Sequence, residues 1–180
     1  LPKCFSNGRP LHELGATGWN AADPVNLATS RAMSRAVRME GAIPATIAVI
    51  DGALHVGLTP DQLERLSQVD ADKCSTRDLA AVMQSGGCGG TTVAGTLSAS
   101  AVANDLLRAH DLPRLRMFAT GGIGGVHRDW TGHPDISADI RAIACTPMLV
   151  VTAGAKIILD LPATREALDT NMIPVIGWEC

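Results

Sequence analysis

The sequence predicts an α/β domain in which helices layer on both sides of a mixed central sheet, an α/β/α arrangement. Three observations carry that expectation. Segments of strand character alternate with segments of helical spacing along most of the chain. An early pair of apolar runs flanks Asp51-Gly52, a tight-turn signal that makes one strand pair antiparallel. With 180 residues, 46% of them apolar, the chain can bury one substantial core and reads as a single domain.

The elements follow in order. Asn26 is placed to cap a helix running to about Glu40, with Leu27, Met33, Ala36 and Val37 on one side and Gly41 ending it. Pro44 to Ile50 and Ala53 to Gly57 form a hairpin around Asp51-Gly52. Thr59-Pro60 opens a short helix to about Leu66, and Thr76 caps another from Arg77 to Gln84. Gly86-Gly-Cys-Gly-Gly90 punctuates the chain ahead of an Ala-rich helical stretch from Thr91 to His110. A short strand, Arg116 to Ala119, runs into Thr120-Gly-Gly-Ile-Gly-Gly125. A helix from about Ile136 to Ala144, a strand from Met148 to Thr152, a helix from Pro162 to Asp169 and a last strand from Ile173 to Trp178 complete the pattern.

Composition excludes several classes. A formal charge of −3 without a basic cluster argues against a nucleic-acid surface, although a small anion needs only one or two local cations. No apolar run approaches the roughly 18–20 residues of a membrane span, and no signal segment opens the chain, so a cytoplasmic protein is expected. Five scattered cysteines with no C-x-x-C pair indicate neither a disulfide framework nor a zinc site, and small buried thiols are expected. The basic residues are skewed: only Lys3, Lys73 and Lys156 are lysines, against twelve arginines. Nucleophilic attack on a carbonyl needs an amine that can lose its proton, which arginine cannot supply. Each internal lysine is therefore a candidate.

Four patterns bear on chemistry. Gly89-Gly-Thr-Thr92 at a helix start can present amides to a phosphate, or be a turn; neither glycine cluster fits a dinucleotide fold or a P-loop. Asp135-Ile-Ser-Ala-Asp139 spaces two carboxylates to share a hard cation, with Ser137 adding a hydroxyl. The alternative is Asp135 as a helix cap with Asp139 in the first turn. Lys156 has apolar residues on both sides, so burial would favour the neutral, nucleophilic amine, or the side chain snorkels from a strand end. His127-Arg128 can bind an anion or cap a loop.

Six stretches, in this order, resemble the pseudouridine-5'-phosphate glycosidase (indigoidine synthase A-like) family. They are 41–52, 73–79, 90–94, 118–128, Asp135 to Asp139, and Ala153-Gly-Ala-Lys-Ile-Ile-Leu-Asp160. The resemblance implies Lys156 as nucleophile, Lys73 as a substrate-binding lysine, a backbone contact at Val93, and substrate contacts from Ser137, Ala138 and Asp139. It also implies a manganese-type ion at Asp135, a sugar-phosphate or nucleotide ligand, and a homotrimer. Counting back from Pro24 and Asn26 puts the family's general-acid glutamate at Glu13.

The implied reaction explains the lysine. A carbon-linked base has no lone pair for an acid to protonate at the scissile atom, so two carboxylates are insufficient. The family mechanism opens the furanose ring with a proton from the glutamate. The lysine bonds to C1', the base leaves once its ring carbon is protonated, and water releases ribose 5-phosphate from the imine, reversibly.

The chain departs from the family around Glu13, is longer between Val93 and Phe118 with residues 104–115 as the added stretch, and lacks the family's C-terminal part after Trp178. Two other readings follow from those departures. One is a synthase joining ribose 5-phosphate to another aromatic acceptor; the other is a non-catalytic remnant that binds the sugar phosphate.

Overall fold

The computed structural model describes residues 3–6 and 24–178. Among them are seven strands: β1 (Lys3–Ser6), β2 (Pro44–Ile50), β3 (Ala53–Val56), β4 (Asp72–Cys74), β5 (Gly89–Thr91), β6 (Met117–Ala119) and β7 (Leu149–Val151). Six helices alternate with them: α1 (Pro24–Met39), α2 (Pro60–Gln68), α3 (Thr76–Gln84), α4 (Val93–Ala109), α5 (Ala138–Cys145) and α6 (Leu161–Thr170). The strand order is β4-β5-β2-β1-β6-β7, with β3 branching from β2.

β1 pairs in parallel with β2 and β6, and β6 with β7. β5 runs antiparallel to β2, and β4 follows β5 in parallel. The sheet is mixed, as expected, but the β5 reversal contributes to this along with the β2–β3 hairpin. Alternation along β2 sets the layers. Ala45 and Ile47 pack with Ala99 of α4, and Val49 with Leu79 and Val82 of α3. Ala48 points the other way, onto Leu66 of α2. A strand covered on both faces is the mark of three layers. Phe118 of β6 is fully buried and joins Val93 and Leu97 of α4 to Ile140 of α5 and Leu168 of α6.

Local chemistry accounts for most boundaries. Asp51 (φ 50°) and Gly52 (φ 74°) both take positive φ, the two-residue turn that suits the twist of a hairpin. A Cβ on Gly52 would lie 2.5 Å from the Met83 carbonyl oxygen, so glycine is required twice over. α2 starts with a capping box, Thr59 Oγ1 accepting from Gln62 N and Gln62 Oε1 accepting from Thr59 N.

Several expectations need correction. α1 begins at Pro24, so Asn26 lies inside its first turn. Ser75, not Thr76, caps α3, and its amide donates to the Asp78 carboxylate at 2.9 Å. α5 starts at Ala138 behind Ser137, because Ile136 is held in a bridge to Val126; Asp135 therefore neither caps the helix nor shares a helical face with Asp139. β1, β4 and β5 were not anticipated. Gly89 and Gly90 carry no strand propensity, yet a Cβ on Gly89 would overlap Cys74 Sγ, so close strand packing selects the glycine. The run Ile173 to Trp178 is no strand: it has no ladder partner among the described residues, and Ile176 and Trp178 are 84% and 85% exposed. Of the described cysteines, Cys74 is buried, Cys88 half-buried and Cys145 exposed.

Candidate active site around the glycine-rich loop

The loop after β6, residues 120–128, is held on two sides by main-chain bonds. On one side Ser137 N donates to Gly125 O and His127 N to Asp135 O, both at 2.9 Å. On the other, Ile123 N donates to Gly154 O at 3.0 Å, Lys156 N to Ile123 O at 3.3 Å and Asp160 N to Val126 O at 2.9 Å. The loop thus lies between the 135–139 and 153–160 stretches. Thr164 locks it further, accepting from Val126 N at 3.0 Å and donating to Asp160 O at 2.6 Å.

Two glycines are needed for this approach. A Cβ on Gly124 would overlap the Ser137 hydroxyl, and one on Gly125 would overlap Thr164. At Gly122 an added Cβ would be 3.6 Å from Lys156 Cγ, which places the lysine stem across the loop. Lys156 is half-buried. Its neighbours Ile157 and Ile158, however, are 80% and 64% exposed, so the apolar flanks expected to desolvate the amine face outward.

Asp139 is the joint of the site. Only 9% exposed, its carboxylate accepts from Ala94 N at 2.9 Å and from Gly124 N at 2.8 Å, while Asp139 N donates to Ser137 Oγ at 3.2 Å. One acid therefore ties the first turn of α4 to the glycine-rich loop, in the position where a helix dipole favours negative charge. The first-turn amides of a helix lack intrahelical acceptors. In α4, Ala94 N uses Asp139, Gly95 N uses Thr92 Oγ1 and Thr96 N uses Thr92 O. That leaves the amide of Val93, at N1, to which none of these acceptors is directed.

The other predicted residues fall as follows. Ser137 caps α5 and lies against Gly124, and Ala138 opens the helix. Asp135 is not paired with Asp139; its carboxylate lies 3.8 Å from His127 Nδ1, both side chains being about half open to water. Lys73 is exposed on β4 opposite Gly90, which lies three residues before Val93, so it belongs to the half of the sheet that leads into α4. Glu13 lies outside the described residues. Thr164 carries no signal in the sequence, whereas Gly124 lies in the Gly-Gly-Ile-Gly-Gly cluster and His127, expected to bind an anion or cap a loop, stands beside Asp135.

Among the described residues no group of three or more His, Cys, Asp or Glu is arranged to hold a metal ion. Asp135 with His127 offers at most two donors in an open setting. That set fits a largely hydrated ion anchored by one carboxylate, and not a closed protein cage. Near the α4 start, burial, aided by the charges of Asp72 and Asp78, pushes the Cys74 thiol up to about 11, which keeps it protonated and unreactive near neutrality. No helix of the described residues is long and apolar enough to cross a membrane.

Comparison with known proteins places this arrangement in context. The sequence pattern described as indigoidine synthase A like protein matches residues 15–180. The pseudouridine-5'-phosphate glycosidase of Jannaschia sp. (strain CCS1) is 51% identical over 155 residues, 86% of this chain and 48% of that protein. The protein of the same name from Myxococcus xanthus (strain DK1622) is 47% identical over 179 residues, 97% of this chain and 56% of its own. Among solved structures, the prealnumycin C-glycosynthase in complex with ribulose 5-phosphate superposes with a TM-score of 0.77 at 37% identity, covering 96% of this chain and 51% of that one. An indigoidine synthase A-like protein of Thermotoga maritima superposes with a TM-score of 0.76 at 28% identity, over 96% and 53%. The chain spans about half the length of the curated relatives it matches.

Proposed function

The chain belongs to the family of indigoidine synthase A like proteins, and from that premise we propose that the protein acts reversibly on the C-glycosidic bond of pseudouridine 5'-phosphate, giving uracil and ribose 5-phosphate. The observation that carries this reading is the placement of Lys156 across the same loop that Asp139 fastens to the start of α4. An amine for the sugar carbon and an amide for an anion then share one joint.

In this reading Glu13 supplies the proton that opens the furanose at its ring oxygen. The Lys156 amine bonds to C1', and the bond from C1' to the base breaks as the departing ring carbon takes a proton. Water adds to the resulting imine, freeing ribose 5-phosphate and regenerating the amine. Val93 N–H and Lys73 hold the sugar phosphate, with Ser137, Ala138 and Asp139 shaping its bed. Asp135 would hold a hydrated manganese-type ion, which would supply positive charge against the anionic substrate. A cytoplasmic homotrimer is the assembly this reading implies, and sedimentation would test it.

Borohydride trapping tests the proposal directly. With ribose 5-phosphate and Mn2+, the adduct should map to the peptide bearing Lys156 and vanish in Lys156→Ala. An adduct elsewhere, or turnover by Lys156→Ala, would overturn it. The similarity to a C-glycosynthase favours a second reading, in which ribose 5-phosphate is joined to a larger aromatic acceptor. Rates with uracil against such acceptors separate the two. Binding of ribose 5-phosphate with no adduct would instead mark a non-catalytic sugar-phosphate binder.

A further inference from the structure

We propose that the cleft between the C-terminal half of α4 and residues 113–116 binds a phosphorylated small molecule, with Arg108, Arg114 and Arg116 as its anion ligands. The cleft measures about 470 Å³ and is walled in part by these arginines, Asn104, Asp105 and Leu115. That volume suits a small ligand, for which about 300–1,000 Å³ is usual. It lies toward the far end of α4 from Val93, roughly 12–22 Å along the axis at 1.5 Å per residue. A sugar phosphate held at the Val93 amide would not fill it.

The arginines are positioned, not merely present. The Asn104 side chain accepts from Leu115 N at 2.7 Å and donates to Leu115 O at 3.0 Å, gripping both main-chain groups of that residue. Arg116 O accepts from Leu149 N at 3.0 Å, extending the β6–β7 ladder backward. Leu115 is buried beside Ala45, Ile47 and Ala99. In extended chain the residues flanking an inward side chain point outward together. Arg114 and Arg116 thus leave the same face as an exposed pair.

Among the described residues neither guanidinium has an ion-pair or hydrogen-bond partner. Arg108 joins them, partly neutralised by Asp105 at 2.8 Å. Three guanidiniums against one carboxylate line this cleft in a chain whose formal charge is −3. Like charges lining one cleft repel until an anion comes between them, and the planar guanidinium fork matches phosphate oxygens two at a time.

Calorimetric titration of the protein with inorganic pyrophosphate, at one fixed low ionic strength, tests the assignment. A saturable site that persists in Lys73→Ala is expected, weakened about tenfold or more in Arg114→Gln/Arg116→Gln, consistent with loss of charge-assisted bonds. Lys73→Ala should leave that affinity unchanged. Asp105→Asn should tighten it about threefold by releasing Arg108. The proposal is overturned by failure to saturate, by unaltered binding in the double arginine variant, or by loss of binding in Lys73→Ala. Should the double variant not fold, Asp105→Asn decides: tighter binding supports the site, and unchanged or weaker binding removes it.

Discussion

Replacing Asp139 probes the joint on which the site is built. Its two bonds to main-chain amides, at 2.9 and 2.8 Å, are charge-assisted and sheltered from water. Hydrogen bonds to a charged group contribute about 1.5–3 kcal/mol each, and the helix start adds about 0.3–1 kcal/mol. Desolvation of the carboxylate, which Ala would relieve, offsets part of this. Asp139→Ala should therefore cost ~3 kcal/mol. Asp139→Asn keeps one oxygen but turns an NH2 toward an amide donor, and should cost ~2 kcal/mol. Urea titration reads this as a lower midpoint at unchanged slope, and a thermal scan as a fall of about 6–12 °C for the Ala variant. A change below about 0.5 kcal/mol in both variants, the range of ordinary surface substitutions, would refute the reasoning. The carboxylate would then be facing ligand or solvent and not two amides.

Other outcomes follow from the same geometry. Gly124→Ala drives a Cβ into Ser137, so it should destabilise the fold by about 1–3 kcal/mol and reduce trapping of ribose 5-phosphate. Lys156→Arg keeps most of the stem but cannot lose a proton, so trapping should be abolished while the urea midpoint holds. Thr164→Val leaves Val126 N without its acceptor, with an expected loss of about 1–3 kcal/mol read from the same titration. Cys74 should resist alkylation at pH 8 in the folded protein while exposed Cys145 reacts. Its thiol is raised from 9.0 to about 11, so the folded state holds a proton that the unfolded state releases first; stability should fall as pH rises from about 9 to about 11.

What the sequence disclosed depended on whether the cause was local. The Asp51-Gly52 hairpin and the Thr59 cap were legible because a turn needing two positive φ values and a capping box each write their demands into adjacent residues. β4 and β5 were not, since Gly89 and Gly90 form a strand only because Cys74 and β2 lie beside them. Ile173 to Trp178 has the composition of a strand, yet no ladder forms there among the described residues. At the site, 118–128, 135–139 and 153–160 assemble around one loop, and 90–94 joins it through Asp139. The division of labour between the two aspartates stayed hidden: the acceptors of Ala94 and Gly124 are 45 and 15 residues away in the chain, and no periodicity encodes such a bridge.

The place of β1 has a consequence for the order of assembly. Among the described residues, the four of β1 join β2 to β6, and within the sheet they connect the half bearing β4 and β5 to the half bearing β6 and β7. During synthesis that first segment emerges long before its second neighbour, Met117–Ala119, exists to receive it. The two halves can each gather local structure early, but their registration must wait for a distant closure, the kind of step that slows folding and leaves an intermediate vulnerable to mispairing. Lys156 and the amide of Val93 belong to opposite halves, and the Asp139 bonds to Ala94 and Gly124 fix their relation once those halves are joined.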